Sequence, residues 1–237
     1  MIISHKYKFI FIKPNKVGGT SVQANLVEQC GEEDVFTKIA DYSSYKDHDY
    51  YDIESQNAEG FQGHATPSEI KKGIAKDIWD TYTKITIVRN PWDLAVSSYY
   101  WEKAIREERR KKKRGIKALL KPSKLLRILK RFEKKESDEF ERFVLSFPAE
   151  HLNTPFYLDS KGKPIADLYI RYENLEEDYK KLCNQLGIPH KKLPRLKTKT
   201  RKDKSHYSRF YNEKTKKIVE DMFKNQIEYF GYCFEEK

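Results

Sequence analysis

The sequence predicts an α/β fold, a parallel β-sheet flanked by helices, from three strand–loop–helix units spread along the chain. In the first, Tyr7-Lys8-Phe9-Ile10-Phe11-Ile12 is rich in β-formers, ends at a loop punctuated by Pro14, Asn15, Gly18 and Gly19, and gives way to helical spacing from about Thr20 to Gln29. In the second, the buried-strand run Lys84-Ile85-Thr86-Ile87-Val88 meets Asn90-Pro91. There Asn90 can cap a helix that has Pro91 first and Asp93 third and runs through Tyr99 and Tyr100. In the third, Asp167 to Tyr172 reads as a strand that leads into a helix from about Leu175 to Leu186, with Asn174 as the cap and Gly187 just past the end. Strands that alternate with helices imply a parallel sheet covered on both faces.

Between these units, Thr66-Pro67-Ser68-Glu69 has the form of a capping box with Pro at the first helical position, opening a helix toward Ile78, so His64 falls just before a helix start. The stretch from about Lys103 to Lys135 is basic, is broken at Gly115 and Pro122, and regains amphipathic spacing at Leu125, Leu126 and Leu129. It reads as a basic helical insertion at about 101–135, partly mobile. Asn212 to Ile227 is helix-like, with Ile218, Val219, Met222 and Phe223 at core spacing. No internal repeat is visible. At 237 residues, with 38% apolar and 14% aromatic content, the chain supports one domain, 1–237, with a sizeable core.

The apolar run Phe9 to Ile12 stops at Lys13, too short for a signal peptide, and no stretch approaches the roughly 20 apolar residues that span a bilayer. The chain as given therefore reads as soluble. Its three cysteines, Cys30, Cys183 and Cys233, lie far apart with no CxxC spacing, which suggests neither a disulfide framework nor a zinc site. A reducing, cytoplasmic setting fits, and an excised secretory-pathway domain would look similar. The net charge of +11 is concentrated: sixteen Lys/Arg against four Asp/Glu between Trp101 and Lys135, and eight against one between Lys191 and Lys204. Two basic segments on an otherwise acidic body imply an anionic partner, with a nucleotide, an acidic polysaccharide and a nucleic acid as candidates; a solvated helical face is the plainer alternative.

The loop Lys13-Pro14-Asn15-Lys16-Val17-Gly18-Gly19-Thr20-Ser21 lies between a strand and a helix, where small residues let backbone N–H groups approach an anion that the helix dipole favours. It is not a Walker A loop. That pattern places Lys after its second Gly and directly before Ser/Thr, whereas Lys16 precedes both Gly18 and Gly19, which disfavours an ordinary kinase or GTPase. In the second unit Arg89 ends a strand and Ser97 lies eight residues on, two helical turns along. Both can address one phosphate, Arg89 as a bidentate charged donor and Ser97 as a hydroxyl donor. Taken singly, each would be an ordinary surface Arg or helix Ser.

Together these loops resemble the sulfotransferase family. The first is similar to the family's 5′-phosphosulfate loop, a Pro-Lys-x-Gly-(Ser/Thr/Gly)-Thr-Ser type pattern: Lys16, Gly18, Gly19, Thr20 and Ser21 fall on it, Val17 takes the free position, and Asn15 replaces the usual Pro. Arg89 and Ser97 resemble the pair that binds the adenosine 3′-phosphate. Arg171-Tyr172-Glu173-Asn174-Leu175 resembles the superfamily's (R/F)-(Y/F)-E-(N/D)-(L/M) stretch, which implies Tyr172 near the adenine, with a core tyrosine as the alternative. Thr198-Lys199-Thr200-Arg201-Lys202 occupies the place of a basic or polar loop that closes over the nucleotide, which brings in Thr200 and Arg201. The resemblance spans roughly 7–100 and 165–234, fails over the basic insertion, and points to the branch that includes carbohydrate sulfotransferases. It implies a P-loop NTPase-like fold that binds 3′-phosphoadenosine 5′-phosphosulfate (PAPS) as co-substrate at the carboxyl ends of the strands and releases 3′-phosphoadenosine 5′-phosphate (PAP). It also implies no metal, no nucleic acid, and a hydroxyl-bearing acceptor that is a glycan, acidic in one version.

Sulfuryl transfer needs an in-line acceptor, neutralised charge on the transferring group and a stabilised leaving oxygen. Lys16 is placed for the last task. The acceptor hydroxyl needs a base. Of the six histidines, His64 in Gln62-Gly63-His64-Ala65 has the strongest claim, because the stretch resembles the His-Gly-His segment of uronyl 2-O-sulfotransferases, with Gln62 where the first His would be. A structural role at the helix start is the alternative, with carboxylates between Asp41 and Glu59 next in line as the base; His5, His48, His151, His190 and His206 carry no supporting context. Two other classes stay in view: a nucleotide-dependent phosphoryl-transfer enzyme, and a non-catalytic polyanion binder, which explains the basic segments but not the spacing of Arg89 and Ser97. Nothing in the sequence marks an oligomeric state.

Overall fold

In the computed structural model, which describes residues 1–39, 53–117, 136–196 and 200–237, a five-stranded sheet runs through the molecule. Its strands are β1 (Ile2–Ser4), β2 (Phe9–Ile12), β3 (Val35–Phe36), β4 (Thr83–Val88) and β5 (Leu168–Arg171), in the order β3-β1-β2-β4-β5. The three strands expected from the sequence are parallel, with Phe11 opposite Ile85 and Ile87 opposite Ile170. The sheet as a whole is mixed, a correction to the all-parallel expectation: β1 pairs antiparallel with both β2 and β3. With three and two residues, β1 and β3 are too short to display a strand period in the sequence.

Strand alternation assigns the core to two faces. Phe9, Phe11, Ile85, Ile87 and Ile170 point to one side. There they meet α1 (Gly19–Val27), α4 (Pro91–Lys117), α5 (Glu136–Leu145), α7 (Leu175–Leu186) and α8 (Glu213–Met222). Ile3, Ile10, Ile12 and Val88 point to the other, against Ile70 of α2 (Pro67–Gly73), Trp79 of α3 (Lys76–Thr81), Phe156 and Tyr157 of α6 (Thr154–Tyr157) and Phe230 of α9 (Lys224–Phe230).

The helix signals meet mixed outcomes. The capping box forms: Thr66 Oγ1 accepts from Glu69 N at 3.3 Å while the Glu69 carboxylate accepts from Thr66 N at 2.7 Å. The helix it opens ends at Gly73 instead of running on to Ile78, because Ile74 and Ala75 are extended and α3 starts anew. Asn90 caps α4, its Oδ1 accepting from Trp92 N at 3.0 Å. Asn174 occupies the N-cap of α7 without a side-chain capping bond, the helix being entered through a 3₁₀ turn over Tyr172–Asn174, while Gly187 closes it in the left-handed region at φ 66°. Gly115 does not break α4, which continues to Lys117; one glycine costs a helix only about 1 kcal/mol. Pro122, Leu125, Leu126 and Leu129, and the candidate bases between Asp41 and Asp52, lie outside the described residues. The C-terminal helix splits into α8 and α9 at Phe223, which is fully buried along with Val219.

One carboxylate secures the antiparallel edge. Buried Asp34, just before β3, accepts from His5 N at 2.6 Å, Gly31 N at 2.9 Å, Ser4 Oγ at 3.0 Å and Lys6 N at 3.1 Å, tying the β1–β2 turn to the approach to β3. Burial alone would raise its pKa, but the donors from Gly31, Lys6, Ser4 and His5 hold it below the ordinary carboxylate value. Asp34→Ala is expected to lower the unfolding free energy by about 3 kcal/mol at neutral pH. A carboxyl with a lowered folded pKa contributes fully above its unfolded value and loses that contribution as pH falls through the folded one. Urea titrations of native and variant protein should therefore converge in acid.

Candidate active site

Because β2, β4 and β5 are parallel, the loops that leave their carboxyl ends emerge on one edge, where such sheets hold ligands. A cleft of about 640 Å³ opens there. It is lined by Lys16, Val17, Gly18, Gly19, Thr20, Ser21, His64, Arg89, Ser97, Tyr172, Thr200 and Arg201, so every residue singled out in the sequence sits on one wall or another of the same cavity. Among the described residues, seven Lys/Arg side chains and two carboxylates line it, a strongly electropositive balance suited to an anion.

The first loop is shaped by close approach. Lys16 itself adopts the left-handed region at φ 60°, and Gly18 follows at φ 76°. Gly18 needs glycine for its left-handed backbone, where a Cβ would also crowd Leu175 Cδ2 at 3.1 Å, and Gly19 for lack of space, since a Cβ there would lie 2.6 Å from Lys13 Cγ. Lys13 passes beneath, buried, with its Nζ 2.5 Å from Gln23 Oε1. The Lys16 ammonium lies 4.2 Å from the centre of the Trp101 ring.

Arg89, at the end of β4, is the hub. Its Nε and Nη2 donate to Asp93 Oδ2 at 2.9 and 2.7 Å, and its Nη1 donates to the Lys16 carbonyl at 2.6 Å. Its guanidinium stacks 3.8 Å from the centre of the Tyr172 ring. Asp93 also accepts from Arg201 Nη1 at 2.8 Å through Oδ1, so one carboxylate spans two guanidiniums. Arg201 in turn donates to the Ser205 and Asp203 carbonyls. Burial would raise the Asp93 pKa, but Arg89 and Arg201 hold it below the ordinary value. Glu173 supports the same loop by accepting from Asn90 N at 2.6 Å. Tyr172 thus packs between Arg89 and Gly18.

Asp93, Ser97 and Trp101 recur every fourth residue, so they form one stripe of α4, and all three line the cleft. On the opposite wall, Leu196 N donates to Ser21 Oγ at 3.3 Å and Asn25 Nδ2 donates to the carbonyls of Lys191 and Lys192, laying the basic 191–196 segment along α1. His64 Nδ1 donates to the Lys13 carbonyl at 2.9 Å, which fixes the ring beside the first loop.

Asp93, Trp101 and His151 are among the cleft residues that the sequence reading did not single out. Asp93 and Trp101 were readable in principle, since Ser97 and the helix period place them on its face. His151 was not. It reaches the cleft because Asn15 and Asn153 clamp their segments together, Asn15 N donating to Asn153 Oδ1 at 3.0 Å and Asn153 Nδ2 to the Asn15 carbonyl at 2.7 Å. Among the described residues, no group of three or more His, Cys, Asp or Glu converges as a metal site requires, and no helix is long and apolar enough to cross a membrane.

A family model described as "Sulfotransferase family" matches residues 1–233. An uncharacterized protein of Archaeoglobus fulgidus is 30% identical over 132 residues, which covers 54% of this chain and 88% of that one. No solved structure matches.

Replacing Asp93 tests the clasp. Asp93→Ala leaves the buried Arg89 and the half-buried Arg201 without their shared carboxylate and should cost about 3 kcal/mol in denaturant unfolding, with faster amide exchange at Ser205. A variant as stable as the native protein would show that the cleft does not depend on it.

Proposed function

The chain belongs to the sulfotransferase family, and within that family we propose that it moves a sulfuryl group from PAPS to a hydroxyl of a carbohydrate acceptor. The observation that carries this reading is the convergence of residues as distant as Lys16 and Arg201 on one cationic cleft outside the carboxyl ends of three parallel strands. In this reading the strand–loop–helix formed by β2 and α1 acts as a P-loop-like cradle. Gly18, Gly19, Thr20 and Ser21 offer backbone and hydroxyl donors to the 5′-phosphosulfate, with Val17 as the buried anchor of the turn. Arg89 and Ser97 take the 3′-phosphate, Arg89 pre-oriented by Asp93, so little freedom is lost when the anion arrives. Tyr172 borders the adenine, and Thr200 and Arg201 close the nucleotide side.

The chemistry divides between two side chains. Lys16 serves the leaving phosphate oxygen, where charge develops as the sulfur–oxygen bond breaks. His64 takes the acceptor proton on Nε2 as the new oxygen–sulfur bond forms, its ring held by the Lys13 carbonyl. Products are the sulfate ester, PAP and the protonated histidine. The acceptor side faces α4, whose Arg106, Arg109, Arg110 and Lys111 are exposed beyond Trp101. A cluster of cations on the turns of the helix beyond the cleft suits a polyanionic glycan.

Calorimetry should show PAP binding with ATP much weaker, and a glycan screen should reveal PAPS-dependent turnover. ATP binding without PAP binding would overturn the reading. Lys16→Ala and His64→Asn should each lower kcat by about 100-fold or more while PAP affinity falls far less.

A second expectation concerns the acceptor. Neutralising Arg109, Arg110, Lys111, Lys112 and Lys113 together should raise the acceptor KM about tenfold, weaken its dependence on salt and leave the PAPS KM little changed. A selective rise in the PAPS KM would assign the cluster to the nucleotide.

A further inference from the structure

His151 sits in the cleft wall with Lys16, 5% exposed, and has no part in the chemistry described above. Its segment is fastened beside the first loop: besides the Asn15–Asn153 pair, Asn15 Nδ2 donates to the Glu150 carbonyl at 2.8 Å. Residues on both sides of His151 are thus tied to the neighbour of Lys16. The ring packs edge-on against Phe147, with centroids 6.2 Å apart and planes at 76°. Its Nδ1 is buried without a hydrogen-bond partner.

That orphaned nitrogen decides the tautomer. A neutral imidazole carries one N–H, and a buried N–H without an acceptor costs about as much as a lost hydrogen bond, whereas an unmatched acceptor is better tolerated. The proton therefore belongs on Nε2, the nitrogen that remains to serve the cleft. An imidazolium would place a second, partnerless N–H on Nδ1. Burial accordingly lowers the His151 pKa, Glu102 and Glu150 opposing that shift and Lys16 adding to it. His64 is the converse, with an N–H on Nδ1 turned to the Lys13 carbonyl.

We propose that His151 is a catalytic hydrogen-bond donor, its Nε2–H directed at the sulfuryl oxygens as the group passes Lys16. The inference rests on the sulfuryl-transfer reading. His151 gives up no proton: the sulfur leaves the phosphate oxygen for the acceptor oxygen, the acceptor proton goes to His64, and the Nε2–H bond strengthens as charge gathers on the sulfuryl oxygens. A neutral donor there supplements the ammonium without adding charge to an already cationic cleft.

Two measurements test it. Long-range ¹⁵N–¹H correlation spectra of the free protein should show His151 as the neutral Nε2–H tautomer, with its ring signals shifting when PAP and inorganic sulfate are added together. An Nδ1–H tautomer, or no response to that mixture, overturns the proposal whether or not the protein turns over PAPS. In kinetics, His151→Phe, which keeps a ring against Phe147, should lower kcat by about 10- to 100-fold at unchanged PAP affinity, and His151→Gln, which keeps an N–H, should restore most of it. Native kcat in His151→Phe, or equal losses in both variants, overturns the donor role. Absence of PAPS turnover by the native protein would overturn the sulfotransferase reading instead, and the spectra would still judge the tautomer.

Discussion

The cleft depends on one carboxylate. Asp93 holds Arg89 and Arg201 at once, and through them it fixes four separate parts of the chain: the Lys16 carbonyl, the Tyr172 ring, the start of α4 and the turn at Ser205. Two guanidiniums in a half-buried site would repel each other and lose hydration if left alone. With a carboxylate between them, their like charges can stand side by side, and the protein itself holds a cationic wall in place. The same arrangement limits what the wall can do: the donors that face Asp93 are committed, so a ligand is recognised by those that remain.

Around that clasp the electrostatics are uneven. The carboxyl edge of the sheet collects cations from the first loop, from α4 and from the 191–204 segment, while Asp34 and its backbone donors close the antiparallel side of the sheet. Packing lets this happen without stressing the core. The two faces of the sheet are filled by separate apolar clusters, and the charged groups stay at the strand ends, where loops reach solvent.

What could be read from the sequence follows from how local each signal is. The three parallel strands, the Thr66 and Asn90 caps and the Gly187 stop are set by a few adjacent residues, and they are where the sequence places them. Asn174 stands at the start of α7 but its side chain makes no capping hydrogen bond, because its backbone closes the 3₁₀ turn over Tyr172–Asn174 and is not extended as at a capping residue. β1 and β3 were invisible because their hold comes from pairing and from Asp34, not from a pattern of their own. In the cleft, motif residues were legible one by one. Asp93 looked like a helix-start acid until Arg201 was seen on its far side, and His151 depended on a pairing of Asn15 with Asn153, 138 residues apart.

Helix α4 has a geometric consequence. It runs unbroken from the clasp through Ser97 and Trp101 to its exposed basic turns, so the cleft wall and those turns are parts of one rod. At 1.5 Å per residue, Lys111 stands about 21 Å along that rod from Ser97. A basic turn carried on the same rigid helix therefore stands at a set reach from the cleft, and any partner that touched both would be held at that spacing.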